Sequence, residues 1–394
     1  MKPGTRGRIQ IIASVIVILS MIIYFLYITD IVNFKILSVG DINPYGGWSA
    51  LKSTFTDVSY RWGGITRSIA LTISIALTAL LLGRFFCGFL CPIGALQDGI
   101  RFLSGRLGVK KKKVPSIGIA KSESIKYILL LVLIIASTIG LGSRASAVSP
   151  WLAYLNIVAG LRIHTGLIVL VLIVLFSVFF NRMFCRCFCP LGAFQALINA
   201  ISPLKISKGK SCHGCQLCLK DCPVDIMPDD EKTISPECIN CLKCTEASCI
   251  RGTSGYQVIF AGKALKNTTY LRSGLILFLV LFIMLPLTGN YKSAQGAMDL
   301  GQLKDGIYQG LGVGFGGNMI IRTTVEDNKI RSIEITSHKE TQGYYEEVFK
   351  TMTRAIIKTQ NLNVDVISGA TVTSRGFLGG VKSGVGMAME DEAN

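Results

Sequence analysis

Eight of the 13 cysteines fall in two runs whose spacing suits metal ligation. In "CHGCQLCLKDCP" Cys212, Cys215, Cys218 and Cys222 follow the pattern C-x2-C-x2-C-x3-C-P. In "CINCLKCTEASC" Cys238, Cys241, Cys244 and Cys249 repeat it with one extra residue before the last cysteine, and isoleucine replaces the proline. Three thiolates two residues apart wrap one iron–sulfur cube, and the fourth of a run points to a neighbouring cube. A loop absorbs the extra residue in the second run. Zinc ribbons also use C-x2-C pairs, but three evenly spaced cysteines followed by Cys-Pro favour iron. His213, inside the first run, reads as a solvated loop residue.

A second constellation is an internal repeat. "RFFCGFLCPIGALQ" (84–97) and "RMFCRCFCPLGAFQ" (182–195) align without gaps and share Arg, Phe, both cysteines of C-x3-C, Pro, Gly, Ala and Gln. One unit used twice implies two helix pairs about a pseudo-twofold axis, which brings Cys87, Cys91, Cys185 and Cys189 together. Three readings are open: an additional iron or iron–sulfur site, a dithiol/disulfide couple, or a Cys-Pro turn that ends each helix. A helix stop does not need two cysteines. Cys187 has no counterpart in the first copy, where Phe89 stands, and reads as a buried apolar thiol. The residues after each proline mix apolar and polar positions at helical spacing, as short interfacial helices do. The three histidines, His164, His213 and His338, share no helix or face, so a bis-histidine haem lacks ligands.

These groups need elements to hold them. Of 394 residues half are apolar and only 16% are charged, which directs attention to membrane segments. Five uncharged apolar stretches occur: Ile11–Ile28, Ser68–Gly83, Tyr127–Gly142, Ile163–Asn181 and Ser273–Asn290. Each approaches the roughly 20 residues that cross a hydrocarbon core. The first follows Lys2, Arg6 and Arg8 but is too long for a cleaved signal, and it reads as an anchor. Lys and Arg cluster before the first stretch, between the second and third, and between the fourth and fifth, which places the amino terminus inside and everything after Asn290 outside. Every cysteine then lies at or inside the cytoplasmic face, where thiols stay reduced and serve as ligands. The net charge of +17 and the run Lys110–Lys113 would suggest nucleic acid in a soluble protein. Beside a bilayer, topology and anionic membrane lipid account for them, so no nucleic-acid partner is expected.

From about Leu300 the apolar runs stop and glycine becomes frequent. "GNMIIRTTVEDNKIRSIEITSH" carries two alternating patterns about Asp327-Asn328, a hairpin signal. Tyr344, Val348, Phe349, Met352, Ile356 and Ile357 recur at helical intervals. A small, cysteine-free α+β domain follows. It ends in "DVISGATVTS" (365–374), a segment small and hydroxylated beyond the needs of a turn, although a Gly-containing turn that caps the next helix also describes it.

The two cysteine runs resemble a bacterial two-cluster ferredoxin, which implies one [4Fe-4S] cluster on Cys212, Cys215, Cys218 and Cys249 and another on Cys238, Cys241, Cys244 and Cys222. With the twin C-x3-C-P motifs, residues 65–250 resemble the membrane polyferredoxin quinol dehydrogenases of the NapH and NosR type. "KDGIYQG" (304–310), "SHKET" (337–341) and "DVISGATVTS" together resemble the FMN-binding domain of the Rnf and sodium-pumping quinone reductase complexes. That resemblance implies that a flavin transferase esterifies FMN phosphate onto Thr371, with Thr373 the second choice, and that His338, Glu340 and Thr341 lie near the isoalloxazine. The residue choices suit such chemistry. Gly369 and Ala370 leave room for a modifying enzyme, Ser368 and nearby amides can hold phosphate oxygens, and Asp365 would assist a metal-dependent transfer. Covalent attachment would also keep a flavin that is otherwise lost by dilution outside the cell.

The expected protein is therefore a multi-pass α-helical membrane protein of five spans in the cell membrane, with an inserted two-cluster ferredoxin-like domain and a C-terminal small α+β FMN-binding domain. Expected boundaries are 1–64 for the first span and outside loop, 65–204 for the helical domain with the repeat, 205–265 for the cytoplasmic ferredoxin domain, 270–290 for the fifth span and 300–390 for the extracytoplasmic FMN domain. The expected function is transmembrane electron transfer between the clusters, possible quinone in the membrane, and the flavin. A redox-sensing, accessory or maturation subunit of a partner reductase is the alternative. Redox partner proteins on both sides, and membership of a complex, are expected because no catalytic domain accompanies the carriers.

Overall fold

The computed structural model describes residues 4–34, 36–45, 67–112, 124–138, 148–160, 166–209, 222–226, 234–246, 256–287, 302–362, 364, 366–367 and 370–390, with the backbone only of Thr371 and Glu390. In chain order the helices begin with α1 (Thr5–Ile28), a short α2 (Val39–Ile42) and α3 (Arg67–Leu82). A π-helical turn (Phe86–Leu90) leads into α4 (Pro92–Arg106), followed by α5 (Ile125–Thr138), α6 (Pro150–Val158), α7 (Gly166–Phe179), α8 (Met183–Cys187) and α9 (Pro190–Ile201). Then come β1 (Leu204–Lys208), α10 (Lys243–Glu246), β2 (Tyr256–Phe260), β3 (Lys263–Leu265) and α11 (Asn267–Leu287). The last part contains β4 (Gly306–Val313), β5 (Asn318–Glu326), β6 (Lys329–Ser337), α12 (Tyr345–Thr359) and α13 (Thr371–Glu390). The chain divides into two compact units, residues 1–19, 73–142 and 165–282 in one, and 20–72, 143–164 and 283–394 in the other.

Helices occur at all five expected apolar stretches, but only α1, with 24 residues, and α11, with 21, are long and apolar enough to cross a bilayer among the described residues. α3, α5 and α7 have 16, 14 and 14 residues, below the roughly 20 that a hydrocarbon core requires. The masked neighbours of these three lie outside the described residues. All five leave large apolar side chains uncovered, such as Ile11, Leu77, Leu131, Leu175 and Ile276. Uncovered rows of this kind mark a lipid or partner surface.

In the first unit the repeat is visible as geometry. α3, the π turn and α4 form one arm, and α7, α8 and α9 the other, with Cys91 and Cys189 at the N-caps of α4 and α9 and Pro92 and Pro190 just inside. Proline suits that position because its missing N–H has no helical partner there. The Cys-Pro pairs thus start the following helices. The helices expected after each proline are α4 and α9. β1 pairs antiparallel with β2, Leu204 opposite Phe260 and Lys208 opposite Tyr256, and β3 continues the sheet. This clamp closes the base of the cysteine-bearing segment.

In the second unit β4, β5 and β6 make an antiparallel sheet in sequential order. Asp327 and Asn328 both take positive φ, 53° and 59°, joining β5 to β6 as a two-residue hairpin turn of the primed type requires. α12 buries Val348, Met352 and Ile356 against the sheet core, and α13 buries Phe377, Val381 and Val385. β4 and α13 meet along glycines: a Cβ on Gly312 would stand 2.0 Å from the Gly376 carbonyl oxygen. No side chain fits there, so the seam sets how close α13 lies to the sheet. In the same unit Asn43 donates to the Tyr344 hydroxyl at 2.6 Å, and Asp30 pairs with Lys350 and Arg354.

Candidate functional site

Four thiols of the twin motif converge. Burial raises the Cys91 thiol well above its usual pKa, and Cys87, Cys185 and Cys189 add to the rise as neighbouring thiolates. Cys189 is pushed up to about 12, first by burial and then by Cys185 and Cys87. Burial likewise raises Cys185. Such thiols stay protonated at neutral pH unless a cation displaces the proton, which is how metal binding and thiolate formation are coupled. Among the described residues no three Cys, His, Asp or Glu side chains stand in ready coordination geometry. The donor set, four soft sulfurs from the two copies, is one that zinc or an iron–sulfur cluster takes.

Two arginines frame the thiols crosswise. Arg84 of the first copy lies against Gly192 of the second, and Arg182 of the second against Gly94 of the first; a Cβ on either glycine would come within 3.0 Å of the guanidinium. The Arg and Gly identical in both copies are therefore contact partners across the repeat. Arg182 donates to Asp98 at 3.0 and 2.8 Å and to the Cys87 carbonyl at 2.7 Å. Burial pushes the Asp98 carboxyl up, but Arg182 and Arg6 outweigh it and hold the pKa at about 2. Arg84 pairs with Glu237 at 3.1 Å, and Glu237 also receives Lys126 and Tyr127. Gln97 donates to the Cys185 sulfur at 3.2 Å. These supporting residues were absent from the sequence expectation, although the signal was present: Arg and Gln are among the identities of the two copies.

The twin motif abuts the second cysteine run. Cys87 belongs to one apolar cluster with Ile239 and Cys241, against which Cys222, Cys238 and Cys244 pack. Gly88 makes the contact possible, because a Cβ there would stand 2.5 Å from the Ile239 carbonyl oxygen. Burial raises the Cys222 and Cys238 thiols, as does the neighbouring Cys241. Cys222, Cys238, Cys241 and Cys244 line one cavity with Val224, Ile226 and Ile239. The structure thus gathers the four cysteines assigned by resemblance to one cube. Cys212, Cys215, Cys218 and Cys249, expected to hold the other, lie outside the described residues. Cys187 is 2% exposed, the buried thiol expected.

In the second unit Glu340 is buried, its carboxylate accepting from the Gly316 N–H at 2.9 Å and from the Thr373 hydroxyl at 2.5 Å. Thr373 is 2% exposed and serves to anchor the first turn of α13. His338 accepts the Glu340 N–H at 3.3 Å, and its ring centroid lies 4.5 Å from that of Tyr345, tilted, and 5.1 Å from that of Phe349, edge-on. Burial lowers its pKa, against the pull of Glu340. Thr341 adjoins Glu340 and its carbonyl accepts the Tyr344 N–H. Ala370 is buried in the domain core beside Thr371, the first residue of α13. Asp365, Ser368 and Gly369, and the side chain of Thr371, lie outside the described residues.

A 4Fe-4S binding domain model matches residues 54–110 and 163–209, the two copies of the repeat, and an FMN-binding domain model matches 314–386. Uncharacterized protein MJ0749 of Methanocaldococcus jannaschii is 31% identical over 197 residues, 49% of this chain and 70% of that protein. Putative electron transport protein YccM of Escherichia coli is 29% identical over 56% of the chain and 64% of its own length. Regulatory protein NosR of Pseudomonas aeruginosa is 33% identical over 43% of the chain but only 24% of its own length. This chain therefore spans less than two thirds of YccM and about a quarter of NosR. No solved structure matches it. The chain thus belongs to the same family as MJ0749, is similar to NosR and to ferredoxin-type protein NapH of Haemophilus influenzae, and carries 4Fe-4S binding segments with an FMN-binding domain at its carboxyl end.

Proposed function

We propose that the chain carries electrons across a bilayer between iron–sulfur clusters on the cytoplasmic side and an FMN esterified to Thr371 outside. The carrying observation is the single packed cluster in which Cys87 of the twin motif meets Cys241 and its neighbours. Bound at these cysteines, iron–sulfur clusters supply one-electron transfer, and the flavin supplies a redox centre able to exchange one electron or two. The protein's own part is placement. Cys222, Cys238, Cys241 and Cys244 hold one cube, Cys212, Cys215, Cys218 and Cys249 the other, and Cys87, Cys91, Cys185 and Cys189 a further iron–sulfur site. Burial excludes water from the thiols, and Gly88 keeps the two cysteine groups close. Five spans put residues 300–390 outside. The buried, bonded hydroxyl of Thr373 favours Thr371 as acceptor. A quinone or a protein on either side completes the route.

The test is turnover in sealed vesicles that contain the full chain and its flavin transferase. Reduced ferredoxin, or menaquinol, should reduce the flavin and an external acceptor at a steady rate, and labelling should find residues 300–390 outside. A cytoplasmic tail or a colourless protein refutes the reading. Similarity to the regulatory protein NosR favours a second one. A sensing subunit would reduce its flavin once and then stop.

A further inference from the structure

Charge and hydrogen bonding around the twin motif carry more than four ligands. Asp98 carries one negative charge against two cations, Arg182 and Arg6, whose side chains are 0% and 7% exposed. Glu237 carries one against Arg84 and Lys126, whose side chains are 2% and 0% exposed. Among the described residues the Asp98 junction is thus left one positive charge in excess, beside thiols whose protonated forms are neutral. Buried charge without compensation is costly. Four thiolates around an iron–sulfur core of charge two plus carry net negative charge that offsets this excess.

The glutamines complete the pattern. Gln97 donates through Nε2 to the Cys185 sulfur of the other copy at 3.2 Å, and to the Ile93 carbonyl at 3.3 Å. Gln195 occupies the same position of the second copy, is 0% exposed, and has both amide atoms without a hydrogen-bond partner among the described residues. A buried amide that forgoes every bond is costly. By the repeat, its counterpart sulfur is that of Cys87.

Resting on the proposed iron–sulfur site, we infer that the twin motif is built for a dianionic four-thiolate cluster, with Arg182 as a compensating charge and Gln97 and Gln195 as twofold-related N–H···S donors that position it and set its potential. Hydrogen bonds to cluster sulfurs favour the more negative, reduced state.

The experiment is a potentiometric EPR titration of the purified full-length protein, with iron and acid-labile sulfide analysis. Cys91→Ala should remove one signal, with iron and sulfide lost together, and leave the ferredoxin signals. Loss of nothing refutes the site itself, and loss of iron without sulfide refutes a cluster. Gln97→Leu and Gln195→Leu should each keep that signal and full iron while lowering its midpoint. A shift on the order of tenfold in the reduction equilibrium corresponds to about 59 mV for one electron. Gln195→Met, of nearly equal shape, should repeat the Gln195→Leu shift and guards against misfolding. A midpoint that moves in Gln97→Leu but stays in both Gln195 variants overturns the paired role.

Discussion

Gly88→Ala is the sharpest probe of the packed path between the twin motif and the second cysteine run. The added methyl would stand 2.5 Å from the Ile239 carbonyl oxygen, whereas ordinary contact begins at 3.4 Å, so the two segments must part by about 0.9 Å. Neither side yields easily. The carbonyl is backbone, and it sits two residues before Cys241 in a cluster where Ile239 is 1% exposed. Overpacking of this sort costs about 1–3 kcal/mol. Gly99→Ala supplies the control, because Gly99 is an exposed residue within α4 and its Cβ would meet nothing within 4 Å; the same substitution there should stabilise by about 0.8–1 kcal/mol through helix propensity. Denaturant unfolding in detergent gives the two stabilities. Rapid mixing with a cytoplasmic-side reductant, followed by optical or freeze-quench detection, gives the rate at which electrons reach the twin site. Gly88→Ala should be less stable and slower, with its cysteines intact, while Gly99→Ala should be at least as stable and equally fast. If Gly88→Ala matches the parent in both, the contact is not what joins the two cysteine groups.

Three further outcomes follow from particular bonds. Asp98→Asn leaves Arg182 and Arg6 buried without their shared carboxylate, a loss of about 3–5 kcal/mol that should appear as a lowered melting temperature. Because Asp98 titrates near 2 in the folded chain, against about 3.9 when free, its contribution is complete above the free value and disappears as pH falls through 2; the parent should therefore lose stability between these values and Asp98→Asn should not. Thr371→Val should abolish the flavin fluorescence that survives a denaturing gel, whereas Thr373→Val should keep the band and destabilise the domain by about 1–3 kcal/mol, since Glu340 loses a buried donor. Iron near eight per chain from two cubes, plus that of the twin site, should accompany anaerobic purification; zinc in place of iron would end the ferredoxin assignment.

Several features could be read directly because local chemistry dictates them. Cysteine spacing specifies what a loop can wrap, whatever surrounds it. The alternation of Met319, Ile321, Thr323 and Val325 and the Asp327-Asn328 turn define a hairpin, and all four side chains are buried. The periodic helix from Tyr345 to Thr359 appears with Val348, Met352 and Ile356 inside. Hydropathy located five helices, of which three are shorter than a span among the described residues. The assignment of Glu340 to the flavin neighbourhood rested on order along the chain, whereas its bonds to Gly316 and Thr373 are made between residues 24 and 33 positions away.

What the chain's letters alone established is an inventory: two ligand runs, a doubled C-x3-C-P unit, apolar helices and a hydroxylated terminal loop, each the product of short-range spacing. Folding decided which of these touch. That Arg84 crosses to Gly192 and Arg182 to Gly94, that one carboxylate serves two cations at each junction, and that Gly88 lets Cys87 approach Cys241 are consequences of close packing and charge neutralisation among residues far apart in order. Such terms depend on distance in space and on the dielectric of a buried site, and neither is encoded in any single segment.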